Sequence, residues 1–168
     1  MSNHSVIISV GSNIGDKQDN CQKGIDHLMA SGNAFLVKAS RFYRTSPVDY
    51  LDQDWFVNAA VKVTTRFDAH GLLDALIGIQ RRAGRHGDSI RFGPRIIDLD
   101  IIFYDETVIE TPDLLIPHPR LHKRRFVLQP ICDIDPAIVH PILKKNVRAL
   151  LERLDDDAQS VEPICCDC

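Results

Sequence analysis

The order of strand-like and helix-like segments predicts an α+β fold, a ferredoxin-like βαββαβ sandwich with C-terminal additions. Two segments with apolar residues at helical spacing, each following an aspartate, separate runs that alternate in the manner of strands. The 168 residues contain no internal repeat and no linker, so we expect a single domain over residues 1–168, with a polar tail from about residue 155. Two helices would then cover one face of an antiparallel sheet and leave the other face open to a ligand.

The first β-α unit is predicted over residues 5–33. Residues 5–10 form an apolar, strand-like run that ends in the turn-forming sequence Gly-Ser-Asn. Asp16 is typical of a helix N-cap, and Gly32 marks the end of that helix. Four apolar residues recur between them at helical spacing: Cys21, Ile25, Leu28 and Met29.

The second half of the core consists of two strands, a helix and a last strand. Residues 35–44 and 55–65 alternate as strands, Asp68 caps a helix that ends at Gly84, and residues 96–104 form the fourth strand. One side of the strand at 35–44 is predicted to carry Phe35, Val37, Ala39 and Tyr43. One face of the strand at 55–65 carries Phe56, Asn58, Ala60 and Lys62.

The C-terminal additions begin after the fourth strand. Prolines interrupt the chain at positions 112, 117 and 119, and a helical segment is predicted at residues 121–128. A final amphipathic helix has an apolar stripe formed by Val147, Leu150, Leu151 and Leu154.

Composition excludes several classes of function. The formal net charge of −3, from 20 basic and 23 acidic residues, argues against a large nucleic-acid or membrane surface. The chain has no signal-peptide pattern and no apolar run approaching the roughly 18 residues of a membrane span.

The odd number of cysteines, five, favours reduced thiols over a disulfide framework, and Cys165, Cys166 and Cys168 lack the partners of a zinc site. A cytoplasmic location is therefore expected.

Two aspartates in the fourth strand are the sharpest chemical feature. Asp98 and Asp100 share one face, because side chains alternate along a strand, while Ile97, Leu99, Ile101 and Phe103 can face the core. The two positions are roughly 6.6 Å apart along the strand, close enough to hold one hard cation or to flank two. The alternative is a pair of exposed aspartates balanced by nearby arginines. Oxygen ligands favour magnesium over zinc.

Basic residues surround the aspartate pair in sequence. Residues 81–95 contain five arginines and a single acid, Asp88, which suits a polyphosphate site but also fits a solvated basic loop. His118 lies between two prolines and precedes further arginines, which indicates either a phosphate contact or a polar turn. No P-loop sequence is present and no Ser or Cys stands in a nucleophile-elbow context, so these two mechanisms are excluded.

Five short motifs in register resemble the 6-hydroxymethyl-7,8-dihydropterin pyrophosphokinase family over about residues 6–136. The resemblance implies a ferredoxin-like fold, ATP as co-substrate, two Mg²⁺ ions and release of AMP in a step of folate synthesis. The motifs are Gly11-Ser12-Asn13, Phe42-Tyr43-Arg44-Thr45, Asn58-Ala59-Ala60-Val61, Gly93-Pro94-Arg95 with Asp98-Leu99-Asp100, and Pro117-His118-Pro119-Arg120.

The resemblance also implies roles for individual residues. The catalytic residues would be Arg85, Arg95, Asp98 and Asp100, and the metal ligands would be Asp98 and Asp100. ATP would contact Gln80, Arg85, Arg91, Phe92, Arg95, Ile101, His118 and Arg124. The pterin would contact Thr45, Ser46, Pro47, Val48, Phe56, Asn58, Asp98 and Phe126, with the two phenylalanines stacked on its faces. From sequence alone, core packing is the simpler role for those phenylalanines.

Four positions depart from the family pattern. Gln80 replaces a common acid, Gly87 and Asp88 stand where basic residues are frequent, and Phe92 replaces a frequent tryptophan. We therefore expect either weaker phosphate binding by this loop or a role shared by Arg82 and Arg91.

Two alternative functions share part of this pattern. A single-stranded RNA-binding module shares the fold but requires a basic sheet with exposed aromatics, whereas Asp98 and Asp100 would repel phosphate without metal. A two-metal nucleotidyl-transfer enzyme explains the aspartates but not Phe56, Asn58 and Phe126. The expected partners are therefore small-molecule substrates, with no nucleic acid and no membrane, and a monomer is expected.

Overall fold

The structure is a computed structural model that describes residues 2–84, 91–155 and 159–165. Its strands are β1 (His4–Ser12), β2 (Ala34–Ala39), β3 (Tyr43–Thr45), β4 (Phe56–Thr65), β5 (Asp98–Tyr104), β6 (Ile109–Glu110), β7 (Leu115–Ile116) and β8 (Val161–Pro163). Its helices are α1 (Lys17–Ala30), α2 (Ala69–Arg82), α3 (Arg125–Ile134) and α4 (Val147–Glu152), with a 3₁₀ turn at Leu121–Lys123.

A six-stranded antiparallel sheet is the centre of the fold, in the order β5-β1-β4-β3-β8, with β2 also paired to β4. The predicted α+β class and βαββαβ order are confirmed. Both predicted N-caps are also present, since the side chains of Asp16 and Asp68 accept hydrogen bonds from the backbone N–H groups of Asp19 and Gly71 at 3.1 and 2.7 Å.

Helices α1 and α2 cover one face of the sheet, as predicted. Their apolar stripes contain Ile25, Leu28, Leu72 and Leu76, all at most 5% exposed, and they pack on alternate residues of β1 and β4. The opposite face is not wholly open, which corrects the expectation from the sequence. Helices α3 and α4 cover one end of it, where Leu128 and Ile131 pack against Ile7, Ala60 and Ile102. A cleft remains at the other end of this face.

The predicted strand at residues 35–44 is two strands. Between β2 and β3, the Ser40 Oγ accepts a hydrogen bond from the backbone N–H of Ala60 at 2.8 Å. The connecting segment therefore stays beside β4, and both β2 and β3 pair with that strand. Phe35 and Val37 are 47% and 53% exposed, whereas Tyr43 is buried. The register puts Phe35, opposite Thr64, and Tyr43, opposite Asn58, on the same face, whereas the irregularity between Leu36 and Lys38 turns Ala39, opposite Val61, to the other face. The expectation of a single strand with Ala39 on the side of Phe35 and Tyr43 was therefore wrong.

A bulge in β5 changes the direction of one predicted core residue. Ile8 pairs with Ile101 but Ile7 pairs with Phe103, so Ile102 is an extra residue in the ladder. Phe103 consequently packs under α3 with Ile7, on the other side of the sheet from Leu99 and Ile101.

The C-terminal region is more ordered than its composition indicated. The predicted helix at 121–128 is a 3₁₀ turn followed by α3, and residues of the polar tail form β8 against β3. Cys165 is exposed and Cys21 is buried, while Cys166 and Cys168 lie outside the described residues. Among the described residues, no helix combines the length and apolar character needed to cross a bilayer.

Candidate functional site

A cavity of about 390 Å³ occupies the uncovered end of the sheet. Its floor is formed by the ends of β1, β4 and β5, and its walls come from three connecting segments. One wall is the loop between β3 and β4, the second is the segment before β5, and the third runs from His118 to the start of α3. The cavity therefore collects residues that are far apart in sequence.

Asp98 and Asp100 form the acidic part of the floor. Both side chains line the cavity, and Leu99 between them is buried on the helix side, as strand alternation predicts. Their partners on β1 are Gly11 and Ser9, whose small side chains leave space beside the carboxylates. No group of three or more His, Cys, Asp or Glu side chains that could hold a metal ion occurs in residues 2–84, 91–155 and 159–165. A cation here would therefore need further ligands from water or substrate, as Mg²⁺ commonly does.

Asn58 is a buried polar residue at the same end of the sheet. Its Nδ2 donates a hydrogen bond to Thr45 Oγ1 at 2.6 Å, which links β4 to the start of the β3–β4 loop. Gly11 lies opposite on β1, and a Cβ there would approach Asn58 Oδ1 to 2.5 Å. The glycine is thus required for the close approach of the Asn58 amide.

Two phenylalanines line the cavity from different elements. Phe56 begins β4 and Phe126 lies in the first turn of α3; both are partly exposed. Phe126 also packs against the core under α3. Phe56 and Phe126 both line the cavity. Two aromatic surfaces and a buried amide suit a flat heterocycle that carries amide-like edges.

Arg124 is an enclosed guanidinium of the cleft, with 13% of its side chain exposed, against 41% for Arg120. Burial lowers its pKa, while the carboxylates of Asp100 and Asp49 act in the opposite direction. The group is nevertheless cationic at neutral pH, because an arginine does not lose its proton in proteins. Arg124 therefore places positive charge between two acidic positions of the cavity.

His118 is neutral at physiological pH. Burial lowers the pKa of His118 to about 4, and the Arg124 guanidinium acts in the same direction. Its Nδ1 accepts a hydrogen bond from the backbone N–H of Arg120 at 3.2 Å, so the hydrogen of the neutral ring resides on Nε2. His118 can consequently donate a neutral hydrogen bond into the cleft.

Phe92 lies among three arginines at the cavity wall. The guanidinium carbons of Arg120, Arg91 and Arg124 lie 4.6, 4.8 and 5.9 Å from the centre of its ring. These distances are within the range of cation–π attraction. The aromatic ring thus holds part of the basic surface in place.

Asn13 and Gln53 join the connecting segments around the cleft. Asn13 Nδ2 donates to Gln53 Oε1 at 2.9 Å, and Gln53 Nε2 donates to the backbone oxygen of Phe92 at 2.8 Å. The Arg95 N–H donates to Asn13 Oδ1 at 2.8 Å. The sequence indicated a turn at Gly11-Ser12-Asn13, whereas no sequence pattern pointed to Gln53.

Most of the predicted site residues meet at this cavity. Its lining includes Thr45, Ser46, Val48, Phe56, Asn58, Arg91, Phe92, Arg95, Asp98, Asp100, His118, Arg124 and Phe126. It also includes residues to which the sequence analysis assigned no site role, among them Ser9, Asp49 and Arg120. Pro47 is beside the lining residues but not among them.

Two predicted ATP contacts are elsewhere, and one lies outside the described residues. Ile101 is buried on the helix side of the sheet, so its side chain does not reach the cleft. Gln80, 4% exposed on α2, faces the backbone of Leu99, with its Oε1 3.4 Å from the Leu99 nitrogen. Because α2 packs on the far side of the sheet, Gln80 supports the aspartate strand from behind. Arg85 lies outside the described residues, as do Gly87 and Asp88.

Comparison with protein families gives a match to 7,8-dihydro-6-hydroxymethylpterin-pyrophosphokinase over residues 7–136. A 2-amino-4-hydroxy-6-hydroxymethyldihydropteridine pyrophosphokinase of Methylorubrum extorquens is 39% identical over 148 residues, which are 88% of this chain and 92% of the relative. The mitochondrial folate synthesis bifunctional protein of Arabidopsis thaliana is 44% identical over 131 residues. That alignment covers 78% of this chain but only 23% of the longer relative.

Solved structures with the same fold include Plasmodium falciparum HPPK-DHPS with pteroate. The TM-score is 0.73 at 15% sequence identity, with 90% of this chain and 42% of that chain covered. The similarity at this level of identity concerns the fold. The chain spans less than half of that protein and about a quarter of the Arabidopsis relative.

Proposed function

The chain belongs to the 7,8-dihydro-6-hydroxymethylpterin-pyrophosphokinase family, and from this premise we propose that it transfers the β,γ-pyrophosphoryl group of ATP to 6-hydroxymethyl-7,8-dihydropterin. The products would be AMP and the pterin diphosphate, an intermediate of folate synthesis. The observation that carries the proposal is that one cavity is lined both by aspartates and arginines and by a buried amide and two phenylalanines. A substrate pair of polyphosphate and flat heterocycle requires both.

The heterocycle is assigned to the end formed by the β3–β4 loop and the two phenylalanines. Phe56 and Phe126 offer apolar surfaces to the ring, while Asn58 and the Thr45–Val48 segment offer polar groups to its edge. Aromatic faces combined with a few fixed polar groups give affinity and orientation for such ligands. Thr45, Ser46, Pro47 and Val48 are thus proposed to recognise the edge of the pterin.

The polyphosphate is assigned to the arginines beside the aspartates. Arg91, Arg95 and Arg124 line the cavity and supply positive charge, and His118 supplies a neutral donor. Guanidinium groups suit phosphate oxygens because they can donate two parallel hydrogen bonds. Arg85, a further ATP contact predicted from the sequence, lies outside the described residues, and the side chains of Gln80 and Ile101, the other two predicted contacts, do not face the cleft.

Asp98 and Asp100 are proposed to hold Mg²⁺. Two carboxylates on one strand face fit a hard cation that takes its other ligands from phosphates and water, and two ions are expected from the family resemblance. Bound Mg²⁺ would neutralise charge on the phosphate oxygens during transfer.

The protein's own groups then position the two substrates and stabilise charge on the transferred group. The hydroxymethyl oxygen attacks the β-phosphorus, a new O–P bond forms, and the bond from that phosphorus to the α,β-bridging oxygen breaks. AMP leaves with that oxygen, and the hydroxyl proton reaches water by way of the Asp98 or Asp100 carboxylate. Arg95 stabilises charge on the transferred group, which is the usual contribution of an arginine in phosphoryl transfer. Monomeric state and cytoplasmic location remain predictions from the sequence.

The test is a product analysis. The protein is incubated with ATP, Mg²⁺ and 6-hydroxymethyl-7,8-dihydropterin, and the nucleotides are separated. We expect AMP in an amount equal to the pterin diphosphate, and none when the pterin is omitted. Formation of ADP would identify an ordinary kinase and contradict the proposal.

A further inference from the structure

Asp49 is an acidic side chain that lies against the arginines of the cleft. It belongs to the β3–β4 loop and lines the same cavity as Asp98 and Asp100. Its Oδ2 is 3.5 Å from Nη2 of Arg124 and 3.9 Å from Nη1 of Arg120. One carboxylate therefore neutralises part of the charge of two guanidinium groups.

The backbone around Asp49 fixes this arrangement. Asp49 has a φ of 62°, in the left-handed region, and the Tyr50 N–H donates to the Val48 oxygen at 2.7 Å across it. This is a γ-turn of the positive-φ type, which is rare and strained. Gln53 Nε2 donates to the Tyr50 oxygen at 2.7 Å and anchors the turn. The position of the carboxylate is thus set by the surrounding structure.

The two sides of the ion pair differ in their access to water. The Asp49 side chain is 44% exposed, whereas the Arg124 side chain is 13% exposed. A displaced Asp49 carboxylate can be hydrated at once, whereas the enclosed Arg124 keeps the influence of Asp100 and Asp98 and can accept another anion in place of Asp49. Phe92 keeps both Arg120 and Arg124 in place by ring contacts at 4.6 and 5.9 Å. Arg120 and Arg124 are therefore fixed in position, while their counter-ion Asp49 can be exchanged for another anion.

On the basis of the proposed function, we propose that Asp49 is a specificity-determining residue that occupies the anion position of Arg120 and Arg124 until the polyphosphate of ATP displaces it. An incoming anion can displace the Asp49 carboxylate only if it carries enough negative charge to pair with Arg120 and Arg124 in its place. Asp49 accordingly weakens ATP binding, because the polyphosphate must displace it from both guanidinium groups.

Direct binding measurements test this role without turnover. Wild type, Asp49→Asn and Asp49→Gly are titrated with Mg²⁺ and α,β-methylene-ATP by calorimetry; both replacements accept a positive φ. The matched control is Asp52→Asn, which removes the same charge from an exposed position in the same loop. Titrations at about 50 mM and about 500 mM salt separate a charge effect from a packing effect.

We expect both Asp49 variants to bind the analogue about two- to fivefold more tightly than wild type, the range given by partly exposed ion pairs. The gain should shrink at the higher salt concentration, and Asp52→Asn should match wild type. Equal or weaker binding by both Asp49 variants, with binding by wild type intact, would overturn the role of Asp49. Absence of binding by wild type would contradict the proposed function as well.

Discussion

Gly11 and Asn58 face each other across the β1–β4 pair so closely that a Cβ on Gly11 would lie 2.5 Å from Oδ1 of Asn58. An alanine at position 11 would therefore have to displace the amide, which also holds Thr45 through a hydrogen bond of 2.6 Å. The heterocycle end of the cleft thus depends on the absence of a single methyl group.

The first prediction concerns Gly11→Ala. We expect the KM for the pterin to rise about fivefold, because the displaced Asn58 loses a hydrogen bond worth about 1 kcal/mol. The free energy of unfolding should fall by about 1–3 kcal/mol from overpacking. The control is Gly78→Ala in α2, where a Cβ meets no atom within 4 Å. Unchanged pterin kinetics in Gly11→Ala would show that Asn58 does not contact the substrate.

The second prediction concerns the aspartate pair. Asp98→Asn and Asp100→Asn keep the shape of each side chain but remove its charge, and each should lower kcat by at least about 100-fold if these groups hold the cation. Circular dichroism should show an unchanged fold, because both side chains line the cavity rather than the core. Asp74→Asn removes an exposed charge from α2 and serves as the control. Near-normal turnover in both variants would exclude the metal role.

Strand alternation explains why so much of the site could be predicted. It placed Asp98 and Asp100 on one face and Leu99 on the other, and the structure has this arrangement. The same rule failed at Phe103, because the extra residue Ile102 turned its side chain to the side of the sheet opposite Leu99. A bulge is fixed by pairing with another strand, and its position is not encoded in the local pattern.

Loop contacts were the part of the site that sequence patterns did not reveal. Gln53 bonds to Asn13 and to the Phe92 backbone, residues 40 and 39 positions away along the chain. Gln80 appeared to be a substrate contact, yet it lies behind the sheet against Leu99. A residue's position in a family motif does not specify which layer of the fold its side chain faces, whereas packing of α2 does.

The third prediction concerns pH and His118. Its pKa in the folded protein is about 4, below the ordinary value of 6.5, so the unfolded chain binds more protons between these values. The free energy of unfolding should therefore rise as pH increases from about 4 to about 6.5, with His118 contributing at most about 3 kcal/mol.

Denaturant unfolding of wild type and His118→Asn at about pH 7 and about pH 5 checks this prediction. The variant should lose less stability than wild type when the pH is lowered, since it has no imidazole to protonate. The contribution of His140, whose pKa burial also lowers, is present in both proteins and cancels in the comparison. If the free energy of unfolding depends on pH identically in wild type and His118→Asn, the His118 ring is in contact with water.

The fourth prediction concerns Gln159, in the segment that leads into β8. Its Oε1 accepts from the Arg125 N–H and its Nε2 donates to the Lys123 oxygen, both at 2.8 Å. The side chain therefore fixes the backbone on both sides of Arg124, just before Phe126. The adjacent Ser160 also pairs with Ser46 of the opposite wall, through bonds of 3.0 and 2.9 Å.

Gln159→Ala should consequently raise the KM for ATP several-fold and lower the free energy of unfolding by about 1–2 kcal/mol, because two hydrogen bonds are lost. Steady-state kinetics with each substrate varied in turn provides the measurement. Glu162→Ala, which removes only an exposed ion pair with Arg44 at 3.7 Å, should leave both values near wild type. Gln159 lies beyond the family match at residues 7–136, so an effect on ATP would show that the C-terminal segment shapes this active site. A loss of stability with unchanged KM for ATP would restrict Gln159 to a structural role.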